Sequence, residues 1–504
     1  MNSLKHQDSK APDLLLPRTS APGSPSSSVF DLPTQNAGPM TPIAMRPKPP
    51  AIHTQALERS DQGTGPKSPK SKQSYVVISG GTGGNAICAC HLNACYVLPV
   101  SDDGGSSSEI IRVLGGPSIG DIRSRLVRLI PPAPPRSPLD AIRKLLAHRL
   151  PAHYSERQAR DEWRDIAEGR STLWEGIPTD RKETIRGFLV YFESEVLKRA
   201  HKNFTFVNGS IGNYFIAAAQ GFFRSLPSAI FLFSSITNSQ ANILPVVVTN
   251  HTVTIAADLE NGERLVGQCE ISHPVPTATT TETELPFISI NAMSPHDEVD
   301  GMDVRQKQRQ QNVMFEPEKK DYYEPLSARI SRLLYINAYG MEIHPNPNPD
   351  YIASLNTNDV LVYSCGSLWT SIMPCLAFRG VASAIARSHT LKAKVLLLNS
   401  QNDRETDGYT AVDYILAIAR TLNSQYQVPA YGLGNTITTY PTSAFITDLV
   451  YLKGGLVNVD VKRITTLGVR CTEVTPDAES RDVPKFTVSC VKQAIEEILA
   501  RPRT

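Results

Sequence analysis

The chain has 504 residues, about three times a typical domain, which is enough to bury a large core. Lys and Arg (51) nearly balance Asp and Glu (49), for a net charge of +2, so nothing global favours nucleic acid or an acidic membrane surface. Hydrophobic residues make up 40 %, no apolar run approaches ~18 residues and no signal-peptide core opens the chain, so neither a membrane span nor secretion is expected. Eight scattered cysteines fit a reducing, cytoplasmic compartment with free thiols.

Residues 1–74 are rich in Pro and Ser and lack hydrophobic periodicity, so they read as a disordered N-terminal tail. Ser24-Pro25, Thr41-Pro42 and Ser68-Pro69 are candidate phosphorylation sites there. Asp8, Asp13, Asp31 and Glu58 argue against a mitochondrial transit peptide. Residues 75–504 then read as one large α/β domain.

Val76-Val77-Ile78 is a β-branched run ending at glycines, the pattern of a buried parallel strand entering a tight turn. Gly80, Gly81, Thr82, Gly83 and Gly84 form that turn, where missing Cβ atoms let backbone approach a ligand. Asn85–Leu92 is expected as a short helix whose free N–H groups face an anion over the glycines. Cys88, Cys90 and Cys95 with His91 suggest a metal site, but Cys88 and Cys90 are two apart on that helix and point to different faces, so buried small residues are the better reading.

A second strand, Tyr96–Val100, exits into Ser101-Asp102-Asp103-Gly104-Gly105-Ser106-Ser107-Ser108. At the carboxyl edge of an open α/β sheet, such carboxylates hold Mg²⁺ or bond hydroxyls, and the Gly/Ser backbone forms an anion nest. Neighbouring Asp residues point different ways, so only one is expected to face the ligand. Gly120-Asp121 opens a helix with an Ile122, Leu126, Leu129 stripe. Arg123, Arg125 and Arg128 fall mostly on other faces, with Arg123 the first candidate for a phosphate.

Five prolines in Pro131–Pro138 precede three helical patterns, Leu139–Leu150, Ser155–Glu168 and Asp180–His201. Residues 131–206 are therefore a helical insertion that caps the sheet edge. Asn213 stands in the first turn of the helix Tyr214–Ser225, as a cap or a ligand contact. Ile243–Val248 is strand-like, and Thr252–Asp258 and Arg264–Ile271 form a hairpin through Glu260-Asn261-Gly262. Residues 273–320 read as a flexible loop insertion and Arg329–Ala338 as a strand.

The strand Asp359–Ser364 ends in Cys365-Gly366-Ser367-Leu368-Trp369-Thr370-Ser371, a second strand–Gly–helix junction with hydroxyls for a phosphate, notably Ser367 and Thr370. Two such junctions in one sheet imply a ligand with two ends, such as a diphosphate linking a nucleoside to another group. Ala393–Leu398 is one more parallel strand, and Asp407 and Thr410 precede the helix Ala411–Leu422, for which capping is the plain account. Tyr440–Gly455 and Ile464–Ala500 complete the sheet and end in an amphipathic helix. The fold expected is a three-layer, Rossmann-like, mostly parallel sheet with a helical cap insertion and a disordered tail.

The blocks GGTGG, VSDDGGSSSEIIRVLGGPSIGDIRSRL, GSIGNYFIAAA, CGSLWTSIMP and RETDGYTAVDYI occur in this order over about residues 75–420. Together they resemble the family joining 2-phospho-L-lactate transferase (CofD) to the bacterial gluconeogenesis factor (YvcK), with DDGGSS and GDIR nearer the latter. The usual bacterial PGSLYTSI carries Cys365 here in place of proline. The long tail and insertions look like a eukaryotic, fungal-like member.

The resemblance implies a transferase in which an acceptor hydroxyl attacks the β-phosphoryl of a nucleotide-diphospho donor, with Mg²⁺ and the glycine turns neutralising charge. It puts Asp103 at the acidic position that contacts metal or acceptor, with Asp102 as second choice, and draws Asn213 toward the ligand. The alternative it implies is a non-catalytic regulator of carbon metabolism that binds a nucleotide sugar such as UDP-glucose or UDP-N-acetylglucosamine. An NAD-dependent oxidoreductase, from the G-x-G-x-x-A pattern and Asp102 alone, ranks last. Expected partners are a nucleotide-diphosphate small molecule, a second copy of the chain as a homodimer, and phosphorylation-dependent partners of the tail; nucleic acid and membrane are not expected.

Overall fold

In chain order the strands are β1 Tyr75–Ile78, β2 Ala94–Leu98, β3 Asn242–Pro245, β4 Thr254–Leu259, β5 Arg264–Val266 and β6 Ile330–Ile336. They continue as β7 Glu342–Ile343, β8 Val360–Tyr363, β9 Ala393–Leu397, β10 Asp448–Leu452 and β11 Arg470–Val474. This computed structural model describes residues 73–81, 84, 87–88, 93–273, 324–424, 439–477 and 483–501. Residues 1–72 of the tail, the expected helix over 85–92 apart from Ile87 and Cys88, and residues 274–320 of the loop insertion lie outside the described residues.

Seven strands form one sheet in the order β11-β10-β9-β8-β1-β2-β3. Every pairing in it is parallel, with Val77 opposite both Tyr96 and Val362. Val76, Val77 and Ile78, and all of β8, are buried, as expected for central parallel strands covered on both faces. From β1 the chain runs outward through β2 to β3; β8 lands on the other side of β1, and the chain then runs outward to β11. The order reverses between β1 and β8, so their carboxyl ends border the topological switch point, where ligands bind in open α/β sheets.

The remaining four strands make a separate antiparallel sheet, β5-β4-β6-β7. The hairpin expected at Glu260-Asn261-Gly262 joins β4 to β5, with Gly262 at φ 89°. β6 pairs antiparallel with β4 and does not extend the large sheet. Tyr335 of β6 donates to the Pro374 carbonyl (2.7 Å), tying this sheet to the segment after β8.

The first helices are α1 Gly105–Leu114, α2 Gly120–Arg128, α3 Pro138–Ala147, α4 Glu156–Ala167, α5 Thr179–Leu197, α6 Ile211–Phe223, α7 Leu226–Ile236 and α8 Gln268–Ser272. The insertion supplies α3, α4 and α5. Ser155 starts α4 with a capping box to Gln158. Trp163 of α4 stacks on Phe206 at 5.1 Å, and Phe192 of α5 stacks on Tyr214 of α6 at 4.5 Å. These rings are continuous with the main core, so the insertion is anchored to α6 by apolar burial. Two backbone hydrogen bonds clasp the end of α3 to the start of α6: Leu150 N–H donates to the Gly209 carbonyl (2.8 Å) and Ile211 N–H to the His148 carbonyl (3.1 Å). That clasp delivers Arg149 to the start of α6.

Candidate functional site

Because the large sheet is parallel, the exits of β1, β2 and β8 share one edge. After β1, the space a Gly80 Cβ would need is taken by Ser371 of the β8 turn, 2.1 Å to Oγ and 2.6 Å to Cβ. A Cβ on Gly81 would lie 2.1 Å from Asp121 Oδ1. The glycines are thus required by the approach of the second turn and of α2. Thr82 and Gly83 lie outside the described residues.

Arg125 holds this turn from inside the protein. It is fully buried, donates from Nη2 to Ser79 Oγ and to the Gly80 carbonyl (both 3.0 Å), and lies 4.8 Å over the Tyr96 ring. Burial pushes its pKa down, and the charge of Asp121 is among the groups that support the guanidinium. The sequence reading set Arg125 away from the apolar stripe, yet it is three residues from Ile122 and shares that face.

After β2 the two carboxylates diverge, as the strand geometry predicts. Asp103 Oδ1 accepts from Cys269 N–H in α8 (2.8 Å), and its other oxygen lies against Gly267. Asp102 Oδ1 accepts from Gly104 N–H (3.1 Å), and its Oδ2 lies where a Gly120 Cβ would be, 2.2 Å away. Asp102 thereby lies beside the start of α2, close enough for its charge to act on Asp121, the second residue of that helix. Burial first, and then the charge of Asp103, push Asp102 up to about 6 against the Gly104 hydrogen bond. Burial, and then the charge of Asp102, push Asp121 up to about 8, against Arg125 and the Gly81 N–H. Asp121 was not singled out from the sequence, although the GDIR block contains it. Gly105 takes φ 51°, which starts α1 without a side-chain cap.

Asn213 is buried within the first turn of α6, where Ser210 is the cap. Its Nδ2 donates to Ser106 Oγ in α1 (2.8 Å), while its Oδ1 is buried without a partner. Arg123 donates from Nη2 to Ser210 Oγ. Gly104, Gly105, Ser106, Arg123 and Asn213 therefore gather at the starts of α1, α2 and α6.

At the β8 turn, Gly366 takes φ 140° and exchanges two hydrogen bonds with Asn399: Gly366 N–H to Oδ1 (2.9 Å) and Nδ2 to the Gly366 carbonyl (2.7 Å). The turn keeps its glycine geometry with Cys365 in place of proline. The next turn, Leu368–Ile372, is a π-helix, and buried Glu405 claims its donors. Glu405 accepts from Trp369 N–H (2.9 Å), Thr370 N–H (3.1 Å) and Thr370 Oγ1 (2.5 Å). Thr370 is thus turned to a carboxylate of the protein, whereas Ser367 makes no capping bond and stays at the crevice edge. Burial and then Asp403 push Glu405 up to about 8. Thr410 caps its helix through a box with Asp413, the plain account.

Beside Gly366, a cleft of ≈ 370 Å³ runs along the ends of β9, β10 and β11, lined by Asn399, Ser400, Tyr451, Gly455, Asn458 and Glu473 among others. Among the described residues no group of three or more His, Cys, Asp or Glu is arranged to hold a metal, none of the seven described cysteines is in a disulfide, and no helix is long and apolar enough to cross a membrane.

The fold and its edge define a doubly wound α/β protein with two glycine turns and an acidic pair at its switch point. The chain belongs to the family of 2-phospho-L-lactate transferase CofD, whose pattern spans residues 75–475. It is 35 % identical to an uncharacterized protein of Saccharomyces cerevisiae over 444 residues, covering 81 % of this chain and 97 % of that one. It is 22 % identical to a gluconeogenesis factor of Halalkalibacterium halodurans, covering 86 % of this chain and 98 % of the relative. An X-ray crystal structure of a Bacillus halodurans protein superposes with a TM-score of 0.52 at 20 % identity, covering 84 % of this chain and 100 % of that chain, a likeness of fold.

Proposed function

We propose that this protein binds a nucleotide diphosphate compound across the β1–β8 switch point and transfers its phosphate-linked group to an acceptor hydroxyl. The observation that carries the reading is the Asp102–Asp121 pair, set beside the Gly80-Gly81 turn with its two members pushed up to about 6 and about 8. Two carboxylates with separated proton affinities are the arrangement an acid–base reaction uses. Both carboxyls are raised, Asp121 further than Asp102, so Asp102 is the first of the two to ionise and fits the base. The acceptor oxygen forms a bond to the β-phosphorus, the bond from that phosphorus to the bridging oxygen breaks, the acceptor proton passes to Asp102, and a nucleoside monophosphate leaves. Gly81, Gly366 and Ser367 orient the diphosphate, and the cleft beside Asn399 has the volume to take the nucleoside.

Mg²⁺ fits this donor set, because it keeps several waters and takes one or two carboxylates together with phosphates. Asp102 is the better ligand, since a cation would relieve its repulsion with Asp103. Asp103, the sequence-based choice, already accepts from Cys269 N–H. When bound, the ion would neutralise charge on the phosphates.

A second reading, binding without turnover, is supported by the name gluconeogenesis factor carried by a relative matched over 98 % of its length. Both readings suit a cytoplasmic protein whose described cysteines form no disulfide.

Native mass spectrometry of the protein purified from its own cells, followed by identification of the released small molecules, tests the proposal. A nucleotide with a phosphate-linked acid, or a nucleoside monophosphate, supports transfer; a nucleotide sugar supports sensing. Recovery of no nucleotide, with no binding of GDP or UDP at about 10 mM, overturns both.

A further inference from the structure

The helical insertion brings an arginine to the site that the nucleotide reading leaves unused. Arg149 lies on the clasp between the end of α3 and the start of α6, directly opposite Ser210. Ser210 accepts from Arg123 Nη2, and the charge of Arg149 acts on Arg123, so the two guanidiniums are neighbours. Among the described residues neither arginine is in an ion pair. Arg149 uses Nη1 on the Asn208 carbonyl (2.7 Å) and Oδ1 (3.3 Å), and that nitrogen stands 3.7 Å from where a Gly105 Cβ would be. Arg123 has a buried Nε without a partner.

Three further features converge there. Helices α1 and α2 start without side-chain caps, so their first N–H groups are free of that competition. Asn213, 3 % exposed, donates from Nδ2 to Ser106 and keeps Oδ1 buried without a partner, an acceptor suited to a hydroxyl of the ligand and not to the anion itself. Arg149 also acts electrostatically on Asp102. The two neighbouring guanidiniums repel each other, and an anion between them would relieve that repulsion beyond what the charge of Asp102 does for Arg149. Burial and the charge of Arg149 push Arg123 down to about 10, which agrees with an unmet demand for negative charge.

We infer that Arg149 and Arg123, with the start of α1, form an anion subsite for an acid group, phosphate or carboxylate, on the acceptor. The inference rests on the proposed transfer reading and deepens it: an acid group held by Arg149 puts a hydroxyl a few atoms away beside Asp102. The acceptor is then an acidic hydroxyl compound, and a neutral polyol is discriminated against.

The test is calorimetric titration of the full chain with α-glycerol phosphate, with glycerol as its neutral counterpart, and with GDP and UDP. Arg149→Gln is expected to weaken α-glycerol phosphate about tenfold or more, the size of one charge-assisted contact, and Arg149→Lys less. Binding of the nucleotide should stay within about twofold in both variants. Unchanged α-glycerol phosphate affinity in Arg149→Gln, equal weakening of every probe, or no binding of α-glycerol phosphate by the wild type at about 10 mM overturns the subsite. If neither nucleotide binds while α-glycerol phosphate binds in an Arg149-dependent way, the nucleotide reading falls and the subsite stands.

Discussion

The contact between Gly80 and Ser371 makes the switch point directly testable. Alanine at position 80 puts a Cβ 2.1 Å from Ser371 Oγ and 2.6 Å from its Cβ. Turning the hydroxyl away relieves the first clash and leaves the second, so the β1 and β8 turns must separate. Overpacking of this kind costs about 1–3 kcal/mol. Unfolding entropy grows with chain length, so for a unit as large as Lys70–Thr504 each kcal/mol lowers Tm by only about 1 °C. Ser371→Gly removes both clashing atoms; alone it destabilises by about 0.5–1 kcal/mol through backbone freedom. In the double variant it should recover about 1 kcal/mol or more of the Gly80→Ala loss, a coupling expected for residues in contact. Denaturant unfolding of the wild type, both single variants and the double variant measures that coupling. Strict additivity, or a Gly80→Ala protein as stable as wild type, would refute the packing of one turn on the other.

Two other outcomes follow from the buried carboxylates. Asp121 has a folded-state pKa raised to about 8, above its unfolded value, so its stabilising contribution is complete below the unfolded pKa and is lost as pH rises through about 8. Asp121→Asn should therefore gain in Tm on the wild type as pH rises from about 5 to about 8, and a difference that is flat or shrinks over that range contradicts the assignment. Glu405→Ala leaves the Trp369 and Thr370 amides without their acceptor and should lose about 2–4 kcal/mol in denaturant unfolding, with Glu405→Gln losing less. Equal stability of the Ala and Gln variants would show that the acceptor oxygen is not what holds the π-helical turn.

The α/β class, the central strands, both glycine turns and the hairpin were legible without coordinates, because each depends on neighbours in the chain. Val76-Val77-Ile78 and the β8 residues are apolar runs ending in glycine, and Glu260-Asn261-Gly262 allows the positive φ a tight turn needs. The blocks that identified the family were legible for the same reason. The divergence of Asp102 and Asp103 followed from strand geometry, but which of them meets a second carboxylate did not. That choice depends on α2 bringing Asp121 against the β1 turn. Strand pairing was beyond local pattern too: β6 has the composition of a strand, and only packing decides that it joins β4. Arg125 and Glu405 were hidden for a related reason. A charged side chain next to an apolar stripe is most often solvated, and burying it is favourable only where several donors or acceptors from distant segments meet it. Ser79 and the Gly80 carbonyl do so for Arg125, and the Trp369 and Thr370 amides for Glu405. Local sequence sets which groups can bond, but long-range packing sets which are within reach, and this site is built from the latter.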